Sequence, residues 1–361
     1  MRIEKRMPAI SIDTFFACSL MVILALSAMA GTSKMLYPYI NNVGDQNIRE
    51  RFREISRYIL LNAGTPSDWG RNPQMMPEIF GLAKANAKGS YELDIDKVSR
   101  LNSENLYAFS YAQIFTALKM SDVSFKIEIK PIFEVSINLT ATFNGTDETV
   151  YQFEVLTEDQ GAAVQADLKG YVIAKNYLEA TNVCASNGRA SLNVTLSNAV
   201  EGPALFVVFA KAKCDSQIAS FGVYAFANNS SKPNSEGTFL RLSPLNYFLN
   251  ASFVYPETVL SDAYALTFDY NSTLTQIASG NQSATFQIPQ FRDSSPTVLI
   301  VTGQNLTDFF AEWVAYPQIP LQIGANFSNS LVISNVFVYI YTVTIDSGIY
   351  KCTFWLGGPK E

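Results

Sequence analysis

Apolar residues recur along this chain at three different spacings, and each spacing predicts a different element. From Thr14 to Gly31 the run is apolar or small and uncharged. With Asp13 near the headgroups, Ala9 to Ala30 supplies the roughly 20 residues, at about 1.5 Å each, that cross a hydrocarbon core of about 30 Å. From Asp45, a natural N-cap, the spacing becomes helical. Ile48, Phe52, Ile55 and Ile59 share one face, with Arg49, Glu50, Arg53, Glu54 and Arg57 opposite, before the stop at Ala63-Gly64-Thr65-Pro66. Both signs of charge on the polar face favour packing on the chain's own globular part over lying on a membrane surface. A further helical region is predicted from Asp94 to Met120. Asp94 caps it, Ile95, Val98 and Leu101 form one short apolar face, and Tyr107, Tyr111, Ile114 and Leu118 form a second.

At Val123 the period drops to two. Val123, Phe125, Ile127, Ile129, Phe133, Val135, Ile137 and Leu139 point one way and polar residues the other, with Pro131 marking a bulge or edge. Asn144-Gly145 turns this strand into a partner containing Tyr151, Phe153 and Val155. Short β-branched and aromatic runs follow to Leu356. Leu205–Ala212, apolar on both faces, reads as a central strand, and Leu331–Ile345, rich in Val, Ile and Tyr, reads as a strand and not a second membrane helix.

The pattern therefore predicts a mainly β chain: a basic head at 1–8, a transmembrane helix at 9–31, a helical neck at 32–122 and β-sandwich architecture beyond it. The β region divides into 123–227 and 237–361, the latter being a second β-domain or a continuation of the first. A faint echo between Pro203–Val208 and Pro296–Val301, each followed by a loop and an aromatic strand, fits two stacked β-domains as well as it fits generic strand–loop–strand similarity.

Charge sets the orientation of the apolar run. Arg2, Lys5 and Arg6 precede it and only Lys34 follows closely, so the N-terminus is expected in the cytoplasm and the chain beyond Met35 outside. The partner implied is a lipid bilayer contacted through 9–31. A cleaved signal peptide is the competing reading, because Ala28-Met29-Ala30 before Gly31 has the A-x-A form.

Composition narrows the chemistry. The chain has no histidine, which excludes Ser-His-Asp and Cys-His catalysis and imidazole metal sites. Of four cysteines, Cys18 lies in the apolar run. Among Cys184, Cys214 and Cys352, the pair Cys184–Cys214 is expected to form a disulfide outside the cell. Asn-x-Ser/Thr sites stand at Asn138, Asn144, Asn193, Asn228, Asn229, Asn250, Asn271, Asn281, Asn305 and Asn326, all within the β region, as expected of a glycosylated outer surface. Residues 1–130 carry net charge +3 and residues 131–361 carry −9; an acidic outer part repels polyanions, so no nucleic-acid partner is expected.

The N-terminal third carries a resemblance. A basic head, Ile10-Ser11-Ile12-Asp13 entering the apolar run, Leu60-Leu61-Asn62-Ala63-Gly64-Thr65-Pro66-Ser67-Asp68-Trp69-Gly70, Phe80-Gly81-Leu82-Ala83 and Leu93-Asp94-Ile95-Asp96-Lys97-Val98 follow one another. Over about residues 5–130 this order resembles membrane-anchored, type IV pilin-like surface proteins of archaea. The resemblance implies an apolar helix kept as anchor or filament core after removal of a basic leader, with Asp13 as the acid near its start. It also implies pilin-like subunits or envelope proteins as partners. The chain departs from the pattern at Met7-Pro8-Ala9, which offers no small-residue cleavage site after the basic pair. Read from the residues alone, Gly64-Thr65-Pro66 is a helix stop and Trp69 an aromatic plug over the small helices.

No catalytic, cofactor or metal site is expected. Asp94 and Asp96 read as helix caps in preference to metal ligands. Asp262, Asp269 and Glu312 read as solvated acids unless folding pairs them as a glycosidase does. Trp313, Tyr316, Tyr339, Tyr341 and Trp355 fill a core or, if exposed, bind surface glycans or a partner protein. The function expected is a structural or adhesive surface protein. Its alternatives are a secreted envelope binding protein released after Ala30 and a carboxylate-dependent carbohydrate-active enzyme.

Overall fold

The computed structural model describes residues 20–24, 26–27, 29, 46–175, 177–230, 236–327 and 333–359, and forms two compact units, 1–55 and 56–361. In the first unit, residues 20–24, 26–27 and 29 are helical and exposed. Among the described residues no helix is long and apolar enough to cross a membrane. The other positions of the expected span, with Asp13 and Cys18, lie outside the described residues, as do the head 1–8 and residues 32–45. Helix α1 (46–61) follows the predicted face: Phe52, Ile55 and Ile59 are buried while Arg49, Glu50, Arg53 and Glu54 are exposed.

The second unit is mainly β, in five sheets. One sheet lies against the neck and has the order β1 (Glu92–Leu93), β20 (Ile333–Ile345), β21 (Gly348–Pro359), β2 (Ser124–Pro131), β19 (Leu321–Gly324). The other four are layered. The first contains β3 (Glu134–Asn144), β4 (Glu148–Asp159), β5 (Ala162–Ala163) and β8 (Arg189–Ser197). The second contains β6 (Ala166–Ala174), β7 (Tyr177–Ala185), β9 (Gly202–Ala212) and β10 (Ala219–Asn228), with β9 and β6 central. The third runs β14 (Asn271–Thr273), β13 (Thr258–Leu266), β17 (Thr297–Asn305), β18 (Asp308–Tyr316), leaving β18 at an edge. The fourth runs β11 (Leu240–Leu245), β12 (Phe248–Phe253), β16 (Ser283–Gln287), β15 (Thr275–Gly280).

Alternation along the strands makes the layering. On β9, Phe206 and Val208 enter a core with Phe153 and Val155 of the first sheet, while Leu205, Val207 and Phe209 enter a second core with Val298, Ile300 and Leu266 of the third. A third core joins the third and fourth sheets through Leu299, Val301 and Phe310 against Leu249, Ala251 and Phe286. A strand apolar on both faces must be covered on both, and β9 is. The two echoing segments are the hairpins β9–β10 and β17–β18, which pack on each other across the middle core.

Two sequence expectations change. The alternating run 123–140 is two strands in different sheets, because Pro131 ends β2 and the chain re-enters at Glu134 as β3. The helical region 94–120 is two short helices, α2 (Ile95–Ser99) and α3 (Tyr111–Leu118), separated by turns. Within residues 237–361, β19, β20 and β21 return to pair with β1 and β2, a long-range choice that periodicity cannot reveal.

Gly64 adopts φ +77°, and a Cβ there would lie 2.6 Å from the Ile79 carbonyl oxygen and 2.9 Å from Trp69 Nε1. Gly64→Ala should therefore destabilise the second unit by about 2–4 kcal/mol, through left-handed strain plus overpacking. Urea unfolding measures the loss, and a change below about 0.5 kcal/mol would contradict this reading.

Candidate functional site

The Gly-Thr-Pro-x-x-Trp segment closes over a buried polar junction. Trp69 is fully buried, donates from Nε1 to the Gly81 carbonyl at 3.2 Å and meets Phe109 edge-on at 5.4 Å. Lys97 is buried beneath it, and its Nζ donates to the Ala63 carbonyl at 2.8 Å and the Ala83 carbonyl at 2.7 Å. Arg100 donates to the carbonyls of Trp69 (2.6 Å), Asn72 (2.8 Å), Pro73 (3.2 Å) and Tyr107 (3.0 Å), and lies 4.1 Å from the Phe109 ring centroid. The two cations thus serve as hydrogen-bond hubs for loop carbonyls that have no strand partner. Asp94 caps α2 by accepting from the Asp96 and Lys97 amides.

Asp96 joins this neck to the layered sheets. Its Oδ1 accepts from Tyr316 Oη at 2.6 Å and from the Asn246 amide at 2.7 Å. Burial pushes its carboxyl up to about 6, the two hydrogen bonds opposing the rise. The folded unit therefore holds this proton more tightly than the unfolded chain. Its stabilising share is full below about pH 4 and is lost as pH rises through about 6. Asp96→Asn keeps the acceptor oxygen, so wild type should trail the variant by about 2 kcal/mol at pH 8 relative to pH 4. Denaturant titrations across that window check this, and parallel pH profiles for the two proteins would contradict it.

A cleft opens beside the junction, along the edge strand β18. Two adjoining cavities of about 350 and 530 Å³ share Ser103, Glu104, Glu236, Trp313 and Gln318. Glu312 lies beneath them. It is buried and accepts from the amides of Gly237 (2.8 Å), Phe239 (2.6 Å) and Leu240 (3.3 Å), so its carboxylate is already committed to holding this segment. Glu236 is exposed, and burial of its carboxyl with repulsion from Glu104 and Glu312 pushes it up to about 7. Gln318 is 3% exposed. Its Oε1 accepts from Asn105 Nδ2 at 2.6 Å, Asn105 being held in turn by the Pro244 carbonyl. Among the described residues no group of three or more His, Cys, Asp or Glu side chains is placed to hold a metal ion.

The acids singled out by sequence are not brought together. Asp269 is exposed and pairs with Lys211 at 2.6 Å, Asp262 bonds through its amide and carbonyl to Thr302 Oγ1, and Glu312 is bonded to the backbone amides before β11. Glu104, Glu236 and Gln318 were not legible as a site, since each is an isolated polar residue in a turn or loop. Of the aromatics, Tyr316 is buried on Asp96 and Tyr341 bonds to Ser56 Oγ at 2.6 Å. Tyr339 is partly buried. Trp355 is partly exposed beneath Lys126, 4.5 Å from its ring centroid, and Trp313 is partly exposed at the cleft, packed edge-on against Phe221 at 5.8 Å.

The expected Cys184–Cys214 disulfide is corrected: both are exposed free thiols, and Cys352 is a buried one. Cys184 on β7 faces Asp167 of β6, which faces Lys211 of β9, and Cys214 lies beyond that strand. Two strand spacings of about 4.8 Å already exceed the Cα separation of about 7 Å that a disulfide spans. Cys184 instead donates to Asp167 Oδ1 at 2.9 Å.

The sequons divide by burial. Asn138, Asn144, Asn193, Asn229, Asn271, Asn281 and Asn326 are exposed, while Asn250 and Asn305 are half-buried and Asn250 Nδ2 donates to Tyr107 Oη. Asn228 is corrected as a glycan site. It is fully buried, its Nδ2 donates to the Ser197 and Val200 carbonyls, and its Oδ1 accepts from Tyr151 Oη.

No family model matches the chain, and no curated protein is similar to it. Among solved structures, HBP35 of Porphyromonas gingivalis is similar in part, at 11% identity and a TM-score of 0.20, over 51% of this chain and 64% of that one. The chain thus spans a little under two thirds of that neighbour's length, and so slight a likeness carries no weight for fold or function.

Proposed function

We propose that this chain is a membrane-anchored cell-surface protein with a structural or adhesive role, of the archaeal type IV pilin-like kind. The observation that carries this reading is the apolar helical segment. Leu20, Met21, Val22, Ile23, Leu24, Leu26 and Met29 are each between 58% and 75% exposed. A contiguous row of exposed large apolar side chains needs a bilayer or neighbouring helices around it. The basic residues before it orient the N-terminus to the cytoplasm and the β-sandwich layers to the outside. Six exposed sequons on those layers, with a seventh after β19, support a glycosylated outer surface.

The test is the intact mass and N-terminal sequence of the protein recovered from membrane and medium. A membrane-bound chain starting between Met7 and Ile12, heavier than its sequence by glycan mass, supports leader processing and assembly with pilin-like subunits. An unprocessed membrane chain leaves an anchor alone. A soluble chain starting at Gly31 overturns the anchored reading in favour of a secreted binding protein.

A further inference from the structure

We infer that the cleft between the edge of β18 and the 102–104 turn is a binding site for an amino-sugar-containing saccharide. Three observations converge on it. Its two cavities, about 350 and 530 Å³, fall in the roughly 300–1,000 Å³ range of small-ligand pockets. Gln318 supplies a preset donor. Its Oε1 is held by Asn105 and its backbone by Asn102 and Ser99, while its Nε2 makes no hydrogen bond to any described residue and is not sealed from solvent. This side chain is 3% exposed and lines both cavities, so the free amide faces the cleft. A donor preset on a buried side chain and open to the cleft takes its acceptor from a ligand or from solvent.

The third observation is charge. Among the described lining residues, Glu104, Glu236 and Glu312 face one cation, Arg241; the rise in the Glu236 carboxyl comes first from its desolvation and then from repulsion by Glu104 and Glu312. An ammonium group between Glu104 and Glu236 relieves it, whereas a uronate or sialate adds to it. Partly exposed Trp313 gives the apolar contact against which a sugar ring's C–H face packs. Donor, acceptors, cation seat and aromatic wall together describe a hydroxyl-rich cation. Glu312 is already committed to the backbone amides before β11, which leaves Glu104 and Glu236 as the carboxylates that meet the ligand.

This inference deepens the adhesive reading and rests on it for the source of the ligand. Binding is measured on the purified full chain in detergent, so its failure and the failure of membrane anchoring are separate results. The probes are the trimers of glucosamine and N-acetylglucosamine, with spermidine as a cation lacking the sugar. Calorimetric titration should show glucosamine trimer binding about tenfold or more tighter than either of the others. Glu104→Gln with Glu236→Gln, both at exposed positions, should abolish that preference without changing the melting temperature. Gln318→Ala should weaken both sugars, and where it unfolds the junction the exposed pair decides alone. No binding of glucosamine trimer at millimolar concentration, equal binding of spermidine, or a preference that survives the double substitution would each overturn the inference.

Discussion

Arg100→Ala is expected to destabilise the second unit by about 3–5 kcal/mol, among the largest effects of any single substitution in the chain. Its guanidinium satisfies four carbonyls from three separate turns, at Trp69, Asn72, Pro73 and Tyr107, and stacks on Phe109 while 2% exposed. Truncation removes all four donors at once and leaves buried oxygens that water cannot easily reach. Lysine does not rescue it, because one ammonium cannot reproduce a planar fork that bonds from Nε, Nη1 and Nη2. The control is Arg189→Ala on β8, where an exposed pair with Glu154 at 3.8 Å predicts a change below about 0.5 kcal/mol. Urea unfolding followed by circular dichroism separates the two, and a loss below about 1 kcal/mol for Arg100→Ala would sink the hub argument.

What could be read beforehand depended on how far apart the interacting residues lie. The cap at Asp94, the apolar face of α1, the hairpin at Asn144-Gly145 and the doubly buried β9 all follow from neighbours within one turn or one strand. Pairing of β2 with β21, more than two hundred residues later, leaves no trace in the period of either strand. The buried cations escaped for a related reason. Lys97 lies in α2 and Arg100 caps it, among Ile95, Val98 and Leu101, and charge in such a place ordinarily marks the wet face. Here the loop from Asn62 to Pro73 folds over that face and brings its carbonyls to the charges.

The same limit governs the candidate site. Glu312 was legible as an acid in a strand, but its role depends on amides more than seventy residues earlier. Glu104, Glu236 and Gln318 meet only because the neck turn, the segment before β11 and the residues after β18 converge on one edge of the third sheet. Asn228 shows the converse case: its sequon is complete in sequence, yet burial against Tyr151 and the 197–200 turn gives that amide a structural task.

On the anchored reading proposed above, deleting residues 9–31 is the second large effect, expected on location and not on fold. The full chain should sediment with membranes and resist carbonate extraction, while the deleted chain should be soluble at low ionic strength. Each large apolar side chain contributes about 1.5–3 kcal/mol on leaving water, so the seven exposed between Leu20 and Met29 suffice to hold a protein at a bilayer. Those side chains stay exposed in the folded chain, so the deletion should leave the melting temperature of the β layers within about 2 °C of the parent. Leu24→Arg gives a finer version, since a charge at the middle of a membrane helix costs about 2.5–3.5 kcal/mol on insertion scales. That variant should shift part of the protein to the soluble fraction without altering its unfolding midpoint. A deleted chain that still pellets with membranes would move the attachment from the apolar segment to the β layers, and a deleted chain that melts well below the parent would give the segment a place in their packing.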